Sequence, residues 1–271
     1  MPVTGQAEMT AEDLKDLREA KRILEKPGLA AKITNALGVP VEKALEVLPD
    51  GWSLAVSKAT RKAIEAALRI AAGSLQNRKG GRSGNRFHKA LVVASGATGG
   101  AFGLPALAIE LPVSTTIMLR SIADIARSQG EDLTDINARL GCLEVFALGG
   151  RPRRNDASET GYYAVRSALA KVVADAAKYI GERGLAREGA PPVVRLIMYV
   201  AERFGIQVSE KIATQAVPVI GAAGGALINY VFIDHFQKMA KGHFTVRRLE
   251  RVYGEEIVKT EYDRLGGMPD R

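Results

Sequence analysis

At 271 residues, with 46% apolar and 25% charged side chains, the chain can form one large domain or two closely packed ones and is too apolar to be disordered outside its ends. A formal net charge of +8 favours anionic partners, lipid or nucleic acid. Aromatic residues are 6% of the chain and do not interleave with the Lys/Arg clusters, which argues against nucleic acid, and the single cysteine, Cys142, excludes an internal disulfide.

Residues 1–9 read as a tail with no cationic start before an apolar core, so no export signal is expected, and the lone cysteine fits a reducing compartment. Thr10 followed by Asp13 signals a helix N-cap, and Leu14, Leu17, Ile23 and Leu24 give an apolar stripe that stops before Pro27. Residues 28–48 predict two short helices punctuated by Gly38, Pro40 and Pro49, with a turn at Pro49-Asp50-Gly51. Residues 1–49 are therefore an expected N-terminal helical extension, 50–255 the main helical domain, and 256–271 a frayed polar tail. A helix from Trp52 to about Leu75 has an apolar and a cationic side, and residues 78–88, RKGGRSGNRFH, read as a basic loop.

The chain then enters KALVVASGATGGAFGLPALAIELPVSTTIMLRSIADIAR, residues 89–127. Gly96, Gly99, Gly100 and Gly103 include two spacings of four, which on a helix clear a face for close packing. After Pro112, Val113, Ile117, Ile122 and Ile125 form an apolar side, while Arg120 and Asp124 are spaced for an ion pair. Thr134 is the expected N-cap of a helix through Leu148. Residues 149–161 read as a surface loop, and Ser158 or Thr160 opens the next long helix. Pro191-Pro192 starts another, and Ser209 caps the one after it. The second glycine-rich run, 212–233, carries Gly221, Gly224 and Gly225 and leads into a basic C-terminal helix. With apolar periods of three to four almost throughout, the expected class is all-α: a multi-helix bundle with two central glycine-rich apolar helices.

No nucleophile elbow, zincin or P-loop motif is present. His235 and His243 lie eight residues apart, about 12 Å along a helix, too far to share one ion, and neither a metal nor a cofactor is expected. Asp234 stands at the exit of an apolar helix, as a polar site or a solvated end. Glu110 lies between two prolines in a region otherwise free of charge. Buried, it needs a partner, for which Arg120 or Arg247 are candidates. It is then either an acid/base with a raised pKa or half of a structural ion pair. Glu144, in GCLEVFAL, carries the same two readings.

Both glycine-rich runs approach the length of a membrane span, about 20 residues, but their glycines, prolines and polar side chains make spanning marginal. Cations flank them: Arg78, Lys79, Arg82, Arg86 and Lys89 before the first, and Lys238, Lys241, Arg247, Arg248 and Arg251 after the second. Such clusters suit an anionic lipid surface.

GATGGAFGLPALAIELPVSTTIMLRSIADIARSQGED followed by LGCLEVFALGG resembles the central motif of the EcsC-like proteins, and AVPVIGAAGGALINYVFIDHFQKMAKGHFTVRRLERVYG resembles that family's C-terminal signature. The resemblance covers about residues 50–255. It marks Gly96, Gly99, Gly100, Pro105, Glu110, Pro112, Arg120, Asp124, Pro218, Gly221, Asn229, His243, Phe244, Arg247, Arg248 and Glu250. It implies a helical fold and brings no established catalytic set. The family's bacterial namesake is encoded with an ABC transporter, and a peptidase-like role has been suggested for it.

The leading expectation is a non-catalytic protein that contacts an anionic membrane surface or a membrane protein complex from the cytoplasmic side. The alternatives are a hydrolase using Glu110 with Arg120, Asp124 or His243, and a soluble scaffold that binds a protein through a glycine-rich face. The candidate polar residues are Glu110, Arg120, Asp124, Asn229, Asp234, His243, Arg247 and Glu250.

Overall fold

Apolar residues recurring every three to four positions become ten α-helices, with no strand among the described residues. In this computed structural model those are residues 8–25, 28–38, 40–46, 48, 51–75, 104–148, 161–184, 189–215 and 221–265. The helices are α1 (Ala11–Glu25), α2 (Leu29–Leu37), α3 (Val41–Glu46), α4 (Trp52–Gly73), α5 (Leu104–Ser128), α6 (Ile136–Ala147), α7 (Tyr162–Arg183), α8 (Pro191–Gln215), α9 (Gly221–Tyr253) and α10 (Glu255–Arg264).

Local chemistry sets some of the ends, and side chains distant in the sequence hold others. Thr10 Oγ1 accepts the Asp13 N–H at 3.1 Å, the expected cap of α1. Gly38 ends α2 in the left-handed conformation, its N–H reaching the Thr34 carbonyl at 2.8 Å. Two arginines hold the end of α4: Arg139 donates to Ala72 O at 2.8 Å, and Arg127 donates to the carbonyl of Leu75, two residues beyond the helix.

Several expectations are corrected. Asp135, not Thr134, caps α6 by accepting the Asn137 N–H at 3.0 Å, while Thr134 is bonded to Asp132. Ser209 caps nothing: it lies inside α8, where its hydroxyl donates to the Gly205 carbonyl at 2.7 Å. Helix α5 begins before Pro112 and runs through it. The proline removes the rung to the Ala108 carbonyl, but Ala108 is exposed, so water can take that acceptor. The second glycine-rich run contributes the last residues of α8, which ends at Gln215, and the first turns of α9, which begins at Gly221, and residues 216–220 lie outside the described residues. Residues 255–264 are helical rather than frayed, with Val258 and Tyr262 buried and Lys21 donating to the Tyr262 carbonyl at 2.6 Å.

Two side-chain bonds fix how α5 and α9 lie together. Asn229 bonds Glu110 at 3.4 Å and Gln237 donates to Ser121 Oγ at 2.7 Å, so residue numbers rise in the same direction and the helices are parallel. Arg247 meets Glu131 further along the same line. Lys211, near the end of α8, meets Glu110 at the start of this pair. Phe146, Phe204, Phe232 and Phe236 fill the core between α6, α8 and α9, with ring centroids 5.0–6.0 Å apart. Leu17, Leu29 and Ile33 belong to this same apolar cluster, so the helices before residue 50 are part of the main core.

Helix α1 crosses α9 at Gly242, where an added Cβ would stand 2.9 Å from Leu24 Cγ and 3.3 Å from the Ala20 carbonyl oxygen. Gly181, also helical, has nothing within 4 Å of that position. Gly242→Ala is therefore expected to destabilise the fold by about 1–3 kcal/mol through overpacking, and Gly181→Ala to stabilise it by up to about 1 kcal/mol through helix propensity. Urea denaturation of the two variants checks the opposite signs.

Candidate functional site

Three polar places lie within or against the bundle. At one end Lys211 Nζ sits 2.7 Å from Glu110 Oε1, with the two side chains only 1% and 8% exposed. Asn229 adds its amide to the same oxygen, and the ammonium stands 5.2 Å from the centre of the Phe232 ring. The partner of Glu110 is thus Lys211, not the expected Arg120 or Arg247. Around this buried pair the surface is apolar: Ile109 is 75% exposed, Val113 49%, Leu227 39% and Tyr230 45%.

At the other end, Glu131 in the turn between α5 and α6 is gripped by Arg247 at 2.9 and 3.0 Å and also by Arg251. Gly141 makes room for that arrangement, since a Cβ there would lie 3.3 Å from the Arg247 guanidinium. Glu250 accepts from Arg166 at 2.6 Å and from Tyr163 at 3.1 Å. Tyr162 bonds His243 Nδ1 at 2.9 Å and receives a longer contact from Arg166 at 3.5 Å. That chain of donors assigns the tyrosine proton to Nδ1 and leaves the imidazole proton on Nε2, which has no partner among the described residues. Burial, then the charges of Arg247 and Arg166, hold the His243 pKa well below the usual histidine range. Burial pushes the Glu144 carboxyl up to about 7, against the pull of Arg247 and Arg166. Cys142 is buried beside them, its thiol pushed up to about 12 chiefly by desolvation, which leaves it unreactive.

The third place lies on α9 facing α2. Lys32 Nζ is 3.0 Å from His235 Nδ1, and Lys238 pairs with Asp234 at 2.7 Å.

The remaining candidates distribute as follows. Asp124 pairs with Arg127 at 2.9 Å, three residues on, and Arg120 is half-buried on the outer side of α5. Arg248 binds Asp13 at 3.2 Å and Asp16 at 2.6 Å. Four of the five cations after the second run, Lys238, Arg247, Arg248 and Arg251, thus contact carboxylates of this chain, and Lys241 is exposed. Gly221, Gly224 and Gly225 form the first turns of α9. Arg78, Lys79, Arg82, Arg86, Lys89, Gly96, Gly99, Gly100 and Gly103, residues 149–160 and Pro218 lie outside the described residues.

For a hydrolase the geometry is unhelpful. His243 is fourteen residues beyond Asn229 on α9, about 21 Å from the Glu110 end, and Arg120 is ten residues along α5, about 15 Å. Among the described residues no group of three or more His, Cys, Asp or Glu is placed to hold a metal ion. Sequence reading missed Lys211, Arg166, Tyr162 and Glu131. Lys211 carried a signal, because it continues the buried stripe of Phe204, Gln207 and Val208. Glu131 sits in a turn that reads as solvent-exposed, and nothing local marks it.

The profile of the EcsC protein family matches residues 11–249. No curated protein and no solved structure matches the chain.

Removing one partner of a buried pair strands the other charge. Lys211→Met is expected to cost about 3–5 kcal/mol, with most of the loss recovered in Glu110→Gln/Lys211→Met, as read by urea denaturation. Glu144 keeps its proton in the folded protein up to about pH 7, whereas the unfolded chain releases it near 4.5. Its stabilising contribution is therefore complete below 4.5 and is lost as pH rises through 7, by at most about 3 kcal/mol. Glu144→Gln removes that loss. The melting temperatures of variant and parent should be closest near pH 4.5 and diverge in favour of the variant towards pH 8. His235 and His243 titrate in both proteins and largely cancel in the difference.

Proposed function

The chain belongs to the EcsC protein family, and we propose that it is a non-catalytic protein that docks on an anionic membrane surface through the end of the bundle where α5 and α9 begin. The observation that carries this reading is the gathering of exposed apolar side chains at that end. On α5 the outward stripe is Ile109, Val113, Thr116 and Arg120; on α9 it is Leu227, Tyr230, Asp234, Lys238 and Lys241. At about 100° per residue, each stripe stands roughly a right angle from the α5/α9 contact, turned in opposite senses. In a parallel pair that puts both on one face, apolar at the start and cationic further along. Leu54 is 60% exposed near the start of α4, which packs along α5 with its far end held beside the end of α5 by the bond of Arg127 to Leu75 O, so the two run parallel and Leu54 lies toward the same end.

Other features support this reading. The N-termini of α4, α5 and α9 all point to this end, and their dipoles favour negative charge. The chain enters α5 at Leu104 from the stretch that holds Arg78, Lys79, Arg82, Arg86 and Lys89 and the first glycine run. Each apolar side chain that enters the headgroup boundary contributes up to about 1.5–3 kcal/mol, and each nearby cation about 1 kcal/mol. Among the described residues no helix is long and apolar enough to cross a membrane, and the reading is one of surface contact.

Sedimentation of the detergent-free protein with anionic and neutral vesicles, at low and high salt, tests it. Binding is expected to anionic vesicles and to weaken with salt. Ile109→Ser/Val113→Ser/Tyr230→Ser should lower it about ten-fold or more without changing the melting temperature by more than a few degrees. Equal binding by parent and variant would overturn the assignment of this end. A parent that binds no vesicle would overturn the membrane reading and favour a protein partner.

A further inference from the structure

Beside the cationic part of the α9 stripe lies a half-buried lysine in an unusual setting. Lys32, reaching across from α2, is bonded to His235 Nδ1 at 3.0 Å. The His235 ring is enclosed, and burial, then the Lys32 charge, pushes its pKa down to about 3, so the ring is a neutral acceptor. Lys32 therefore brings a positive charge into a partly dry place where its bonded neighbour has no charge to offset it. Asp234, the carboxylate beside it on α9, is held by Lys238 at 2.7 Å. Burial, then repulsion from Lys238, lowers the Lys32 pKa against the pull of Asp234.

His235, Lys238 and Lys241 are spaced three apart, each about 4.5 Å further along α9, and both lysines are exposed. Lys32 and Lys238 thus lie together beside the carboxylate of Asp234, and Lys241 follows about one turn further along α9. The arrangement is suited to an incoming anion with several oxygens and more than one charge. A phosphomonoester has both, close to two negative charges and three strong acceptor oxygens, whereas a phosphodiester headgroup carries a single charge at its phosphate.

We propose that Lys32, Lys238 and Lys241 form a site for a phosphomonoester, presented by a lipid headgroup at the docked membrane surface. His235 positions Lys32 by accepting a hydrogen bond from its ammonium while adding no charge of its own. The inference rests on the membrane reading, since the lipid source requires this face to approach a bilayer.

The test compares vesicles containing phosphatidic acid with vesicles containing phosphatidylserine at matched surface charge, alongside titration of inorganic phosphate followed by the NMR signals of Lys32 and His235. The parent should prefer the monoester lipid about ten-fold. Lys32→Gln should bring that ratio close to one while keeping phosphatidylserine binding. Lys238→Gln, at an exposed position that does not threaten the fold, should also reduce the ratio. Equal binding of the two lipids by the parent, or an unchanged ratio in both variants, overturns the headgroup site while leaving surface docking intact. If neither vesicle binds, the membrane reading falls and the phosphate titration decides. Saturable shifts that vanish in Lys32→Gln would then support a soluble phosphomonoester, and their absence would overturn the site altogether.

Discussion

The register of α5 against α9 is set by polar ties spaced along one interface. Glu110, Lys211 and Asn229 close it at the start, Ser121 and Gln237 in the middle, and Glu131 with Arg247 at the far end. Apolar packing is non-directional, and two smooth helices could slide past one another at little cost. Each tie has a partner at only one register, and a slip would strand a buried charge or amide at several points together. Helix α8 is held by the same device, because Lys211 must reach Glu110. The parallel course of α5 and α9, with both starts at one end, follows from these ties, and the Arg127 bond to Leu75 O sets the end of α4 beside the end of α5.

That orientation divides the molecule into unlike ends. Where α5 and α9 begin, the large apolar side chains Ile109, Leu227 and Tyr230 face outward over a buried ion pair. Where α5 ends, arginines and carboxylates neutralise one another in the interior, and Glu144 and His243 are held uncharged near pH 7 or below it by desolvation. The net charge of +8 consequently says less about the surface than its size suggests. Arg247, Arg248 and Arg251 hold helices together, and the cations left outward, Lys241 among them, are fewer than the sequence count implies.

The two histidines of α9 illustrate how environment assigns roles to one residue type. Both are buried and neutral, and each has Nδ1 bonded to a side chain from another helix. His243 accepts from a tyrosine inside a network rich in carboxylates and arginines, and so completes an internal structure. His235 accepts from a lysine at the edge of the bundle, next to two exposed lysines, where the excess charge faces outward.

The sequence alone determined the all-α class, because a run of apolar residues every three to four positions can bury its stripe only as a helix. It determined the start of α1 at Thr10 and the end of α2 at Gly38, since caps depend on neighbours a few residues away. The family pattern was legible for the same reason, being carried by contiguous stretches. Glu110 stood out as a lone carboxylate in an apolar stretch, but its partner lies 101 residues further along the chain, and no local pattern encodes that distance. Close packing at glycine shows the same limit: Gly242 and Gly141 make close contacts among the described residues, and nothing in their own stretch of sequence marked them. Whether a glycine matters depends on what another helix brings against it. Tertiary structure likewise decided that most of the C-terminal cations hold the bundle together and that the exposed apolar residues share one end, because charge pairing and exposure belong to the packed assembly of helices and not to any one of them.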